Sequence, residues 1–322
     1  MPERPYFFKE FLSAIQEKIP QKAMLTNTLS DILAIDTDSV YRRMRGDVRF
    51  SFVEMATIAK NLGISLDAIV GIENATNRPS QIALVKHVAT DDPDYQIFKK
   101  HVDFLMSIKD EPNTKLMEAE ITLPSSIFYD FEYITRLYMF LWHETSYAKR
   151  ETIPFEKIVL PERVRVLQKQ SCAYARLIKS THFVWDQMVF KRIVTNVKFF
   201  FKVRLINKDD IALIKSDLFE LLNYIEKLAV KGKYEDTGNE VFIYISDLIF
   251  MQNSCCIEGK DITFSQFSMF ALNAITAWDQ EVFNETNAWI RSLQRMSTLI
   301  TGSGEKIRTE FFDTQRAMID TL

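Results

Sequence analysis

Four arginines, Arg42, Arg43, Arg45 and Arg49, fall within eight residues. A guanidinium carries a planar fork of donors that matches phosphate oxygens or the O6 and N7 edge of guanine. Thr37, Asp38, Ser39 and Tyr41 stand just before and among them, and each can donate or accept hydrogen bonds. Such a cluster suits a polyanion. It also suits a solvated helix face or a surface for a protein partner. Other candidates for chemistry are weaker. His143-Glu144 has Tyr147, not a second histidine, at the spacing a zinc helix needs. Gly302-Ser303-Gly304-Glu305-Lys306 precedes a helix and could offer amides to an anion, but it lacks phosphate-loop spacing. A turn with Ser303 as cap is the plainer reading. Cys172 and His182 could meet only through tertiary packing, and Cys255 and Cys256 read as buried structural thiols. With four histidines in the chain, no enzyme, cofactor or metal is expected.

The elements that position the arginines are legible at short range. Phe8, Phe11, Leu12, Ile15 and Ile19 recur at helical spacing and predict a first helix ending near Pro20. Leu25, Leu29, Ile32 and Leu33 predict a second. Ala34-Ile35-Asp36 is a tight break, and Asp36 or Thr37 can cap a third helix running to about Arg45, with Val40 and Met44 inward. Gly46 stops it. Ser51-Phe52-Val53-Glu54 has the form of a capping box and opens a fourth helix with an inward face of Phe52, Met55, Ala56, Ala59 and Leu62. Gly63 ends that helix, Ser65 caps a fifth over Leu66–Val70, and Gly71 closes the unit.

Five short helices, two of them joined by a three-residue turn, make a helix-turn-helix plan. Three stretches resemble the Xre/Cro, phage-repressor-like family: Leu29-x-x-Ile32-Leu33-Ala34-Ile35-Asp36, Ser39-Val40-Tyr41-Arg42-Arg43-Met44-Arg45-Gly46, and Ile58-Ala59-Lys60-Asn61-Leu62-Gly63-Ile64-Ser65-Leu66. Ala34 departs from the family's usual turn glycine, and Arg43 from its usual apolar residue. The resemblance implies that the third helix enters the major groove of double-stranded DNA. Thr37, Asp38, Ser39, Tyr41 and Arg42 would then face bases, with Thr26, Arg43, Arg45 and Arg49 on phosphates. Residues 1–71 hold nine Lys or Arg and nine Asp or Glu, so any DNA contact must be local.

The 322 residues are 47% apolar and 26% charged, with net charge −3. That excludes a disordered chain or a polycation. Eight glycines and nine prolines favour helices over a sandwich or a Gly-rich nucleotide fold. Three cysteines make a poor disulfide framework, and the first residues lack a signal-peptide core. No apolar run approaches a membrane span. A cytoplasmic protein with no membrane association is expected.

Residues 72–93 read as a linker. The remaining 94–322 read as a mainly helical dimerisation or sensor domain. Helices are expected around 95–106, from Pro124 to Leu141, from Pro161, over Val184–Lys202, from Asp209, from Asp279 and from Glu305. A small antiparallel hairpin or sheet is expected near 241–264, where VFIYISDLIF precedes the turn Glu258-Gly259-Lys260-Asp261. The expected fold is thus mainly α, a five-helix unit followed by a larger helical domain. The expected function is a sequence-specific transcriptional regulator acting as a homodimer, with a small-molecule effector as a further candidate partner. The alternatives are a protein-docking module of phage or toxin–antitoxin type and a ligand-responsive sensor.

Overall fold

The computed structural model describes residues 6–19, 22–66, 69, 93–145, 152–260, 262–270 and 273–322. The chain gathers into two compact units, Met1–Gln81 and Ile82–Leu322. The expected fifth helix and the linker over 72–93 lie outside the described residues, save Leu66, Ile69 and Pro93.

The first unit contains α1 (Tyr6–Lys18), α2 (Lys22–Leu33), α3 (Thr37–Arg45) and α4 (Phe52–Leu62). Phe11, Ile15, Leu29, Val40 and Ile58 meet in its core, each fully buried. Their spacing put one stripe of each helix inward, and each such side chain contributes roughly 1.5–3 kcal/mol by leaving water. Gly46 and Gly63 end α3 and α4 in the left-handed conformation. The inward face expected for α4 needs one correction. Phe52 is 78% exposed, because the first turn of α4 projects beyond the core, which Ile58 and Ala59 fill instead.

The second unit overturns the mainly helical expectation. It carries a seven-stranded mixed sheet in the order β6-β5-β4-β1-β2-β3-β7. The strands are β1 (Lys115–Glu120), β2 (Ser180–Asp186), β3 (Glu240–Ser246), β4 (Ser254–Glu258), β5 (Thr263–Phe270), β6 (Asn273–Ala277) and β7 (Ser297–Leu299). β1, β2 and β3 run parallel, and the remaining pairings are antiparallel. The turn at Gly259 joins β4 to β5, as its residues predict, but β3 is no part of that hairpin. β3 lies between β2 and β7.

Helices connect the parallel strands. α5 (Pro93–Ile108) precedes β1. Between β1 and β2 come α6 (Ser125–Phe128), α7 (Glu132–Thr145), a 3-10 turn (Phe155–Lys157) and α8 (Glu162–Ala175). Between β2 and β3 come α9 (Val189–Lys202) and α10 (Lys208–Lys231), and α11 (Gln280–Arg295) and α12 (Glu305–Asp320) close the chain. One sheet face buries Phe183, Trp185, Ile243 and Ile245 with Phe190, Leu218 and Phe312. The other buries Met117, Ala119, Val184 and Cys256 against Phe283, Ile290 and Leu293 of α11. Two expected helices are therefore redrawn. Val184 and Trp185 belong to β2, their apolar character serving two sheet faces rather than one helix stripe. The helix expected from Pro124 breaks at Tyr129–Phe131 into α6 and α7.

Candidate functional site

The three residues between α2 and α3 are held by local bonds. Ala34 sits at φ 52°, the left-handed region that favours glycine. The hydroxyl of Ser30 donates to the carbonyl of Ile35 at 2.5 Å, and the Ile35 N–H reaches back to Ser30 at 3.3 Å. Asp36 then caps α3, accepting from the Ser39 N–H and from the Ser39 hydroxyl, both at 2.7 Å. The Ser39 hydroxyl and N–H hold the Asp36 carboxyl below its usual range, so the cap stays ionised at neutral pH. Because Ala34 carries a Cβ at positive φ, Ala34→Gly is expected to stabilise the first unit by ~1 kcal/mol. Urea unfolding followed by circular dichroism will read this, and a variant no more stable than wild type would refute the strain.

α3 turns few residues inward. Val40 is fully buried, and Arg43 and Met44 are half-buried. Arg43 does not project outward. Its Nε donates to Glu54 Oε1 at 3.1 Å, and one terminal nitrogen lies 2.8 Å from the same oxygen. The other donates to the Ser39 carbonyl at 3.2 Å. Glu54 also accepts from the Ser51 N–H at 2.7 Å while its own N–H donates to Ser51 Oγ at 3.2 Å. One carboxylate thus closes the capping box of α4 and ties α3 to it. Burial pushes the Glu54 carboxyl up, but the Ser51 N–H and the Arg43 guanidinium prevail and leave it below its usual range.

The expected contact residues therefore divide. Thr37, Asp38, Tyr41, Arg42 and Arg45 are exposed on α3, and Arg49 is exposed in the loop beyond. Arg45 pairs with Asp47 at 3.0 Å, both exposed, a pair of little energetic weight. Among the described residues, Arg42 and Arg49 make no side-chain ion pair. Three of the expected contact residues are engaged or covered within the unit. Arg43 is committed to Glu54, the Ser39 hydroxyl is committed to Asp36, and Thr26 is only 6% exposed in α2. Sequence reasoning passed over Val53, which lies 71% exposed beside Phe52, 78% exposed, at the start of α4.

The weaker candidates fare as follows. The Cys172 thiol donates to the Ser125 carbonyl at 3.6 Å, and burial pushes it up to about 12. His182 instead shares a hydrogen bond with the Ser180 hydroxyl at 2.9 Å and stacks on Phe242. Cys256 is pushed up to about 11, and Cys255 well above the usual thiol range, both by burial. Ser303 does not cap α12. Gly304 holds that place, and Arg308 donates to the Ile300 and Ser303 carbonyls. Among the described residues there is no group of three His, Cys, Asp or Glu side chains fit for a metal. No helix among them is long and apolar enough to cross a membrane.

A small all-helical unit with a capped, outward-facing third helix is the class of module these residues define. Over residues 13–94 the chain is similar to the BetR domain family. That span takes in most of the first unit and about a quarter of the whole chain. No curated protein and no solved structure matches the chain.

Proposed function

We propose that the first unit is a helix-turn-helix that binds double-stranded DNA in a sequence-specific way, and that the chain is a transcriptional regulator acting as a homodimer. The observation that carries this reading is the exposed face of α3. Asp36 and Gly46 frame a nine-residue rod whose outer side offers Thr37, Asp38, Tyr41 and Arg42. A helix of that kind fits the major groove with its first turns against base edges. The Arg42 fork suits guanine, Asp38 can accept from a cytosine amino group, and Tyr41 can touch a thymine methyl. Arg45 and Arg49 lie where backbone phosphates would pass. With Arg43 withdrawn, Arg45 and Arg49 are left as the phosphate contacts.

One such helix buries too little to select a genomic site. Two related by a two-fold axis would meet successive major grooves about 34 Å apart. Selection of DNA from a random pool at physiological salt tests the whole reading. The expected product is a near-palindrome with half-sites about one helical turn apart. A pool that gains no sequence preference after repeated rounds would overturn it. Exposed Phe52 and Val53 support one other reading, docking of a protein on the same unit. Any DNA binding would then be weak and nearly insensitive to salt, whereas phosphate contacts make it steeply salt-dependent.

A further inference from the structure

The second unit encloses an open cavity of about 420 Å³ beside β1, within the size range of small-ligand sites. Its walls come from α5, β1, α6, α7, α8, β4, β5 and β6. Phe104, Phe264 and Trp278 form one ring cluster, with Phe104 edge-on to Phe264 at 4.8 Å. Phe128 and Tyr138 form another, stacked at 4.1 Å. Glu118 and Glu120 of β1 open into this aromatic space. Glu118 is 8% exposed, and its Oε2 has no hydrogen-bond partner among the described residues. Among the described residues, no ion pair reaches either carboxyl. Buried carboxyls are ordinarily paired, so this arrangement lacks a cationic donor.

We propose that the cavity binds a small protonated amine with an apolar body, its ammonium donating to Glu118 and Glu120 and its body lying among the aromatic rings. The proposal does not rest on the DNA-binding reading. A metal ion suits the site poorly, since among the described residues no third His, Cys, Asp or Glu joins the two carboxyls as a ligand set. A quaternary ammonium would supply charge but no N–H for the orphaned oxygen.

The titrating groups in the walls agree. Burial pushes Glu118 up to about 8, and burial together with the charge of Glu118 lifts Glu120 well above the usual carboxyl range. Burial pushes His101 down to about 4, so it stays neutral and does not fill the cationic role. Tyr129, Tyr138 and Cys255 are raised by burial and stay protonated. Lys100 is exposed in water. At pH 7 the empty site thus holds Glu118 chiefly as the neutral acid. An arriving ammonium favours the carboxylate, and the carboxyl proton leaves to solvent. Binding therefore releases a proton and tightens as pH rises towards 8.

Calorimetry on the full chain with 2-phenylethylamine tests this, in two buffers of different ionisation enthalpy. The comparison ligands are 2-phenylethanol, trimethyl(2-phenylethyl)ammonium and magnesium ion. The amine is expected to bind with proton release and to bind more tightly than the alcohol or the quaternary ion. Glu118→Gln keeps the side-chain shape and is expected to weaken the amine at least ~tenfold and suppress the proton release. Glu120→Gln serves as a second variant, expected to weaken the amine in the same direction. Four results would overturn the proposal. These are no heat with millimolar amine, an affinity unchanged in both variants, an alcohol that binds as well as the amine, or magnesium displacing the amine. DNA binding is not measured in any arm, so the outcome leaves that reading untouched.

Discussion

Arg42→Ala is expected to weaken binding to a selected operator by ~10- to 100-fold while leaving non-specific DNA binding nearly unchanged. The reasoning starts from exposure. Arg42 lies on the outer face of α3 with no ion pair among the described residues, so removing it leaves no partner stranded. Stability should then shift by less than about 0.5 kcal/mol. A bidentate arginine–guanine pair gives roughly 1–3 kcal/mol of discrimination, which sets the expected range. Arg49→Ala should behave differently. A phosphate contact carries no sequence information, so its loss should weaken specific and non-specific binding alike. It should also reduce the slope of log affinity against log salt by about 1. Mobility shifts at several salt concentrations will separate the two patterns. Equal loss on all sequences for Arg42→Ala would move that residue to the backbone class. No loss in either variant would remove the face of α3 from the interface.

The second unit is expected to lose about 1 kcal/mol of stability or more between pH 6.5 and pH 8, and a Glu118→Gln, Glu120→Gln double variant should remove that loss. A carboxyl raised from 4.5 to about 8 in the folded state keeps its proton while the unfolded chain has released it. Its stabilisation is complete below 4.5 and is lost as pH rises to about 8, at roughly 1.4 kcal/mol per pH unit. His101 and His182 act in the opposite sense. Each is lowered from 6.5 to about 4 by burial, so the unfolded chain binds more protons and stability rises with pH between those values. Acids and histidines thus oppose one another below 6.5. Above 6.5 the histidine effect fades within about one further unit, and the carboxyls then act alone, with Glu120 in the same direction as Glu118. The cysteines, with an ordinary value of 9.0, enter only at higher pH. Trp142, Trp185, Trp278 and Trp289, the four tryptophans of the chain, belong to the second unit. Their fluorescence during urea unfolding therefore reports this unit within the full chain. A flat profile from 6.5 to 8, or a fall that persists in a Glu118→Gln, Glu120→Gln double variant, would refute the assignment.

The local features of the first unit were readable because each is written within a few residues. Asp36 before a helix, glycine at Gly46 and Gly63, and the Ser51–Glu54 box specify their own bonds. The inward turn of Arg43 was not readable. It depends on Glu54, eleven positions away, offering an oxygen to a neighbouring helix as well as closing its own cap. The sheet escaped for a related reason. β1 reads Lys-Leu-Met-Glu-Ala-Glu, a segment of poor strand propensity that becomes a central strand through its neighbours. Those neighbours, β2 and β4, begin at Ser180 and Ser254. Glu118 and Glu120 look in sequence like a solvated alternation, and only the walls brought in by α5, α7 and β5 turn them into the lining of a cavity.

That wiring of β1 also sets a timetable. The α1–α4 unit closes on contacts between near neighbours, and such chains fold quickly. It can be complete while the rest of the polypeptide is still being synthesised. β1, by contrast, must wait for Ser254–Glu258 before both its edges are satisfied, so its unpaired backbone remains a hazard for sticking to other chains until late in translation. A cell making this protein would therefore need its chaperones at the second half of the product, and truncated chains ending before β4 should be the ones that aggregate.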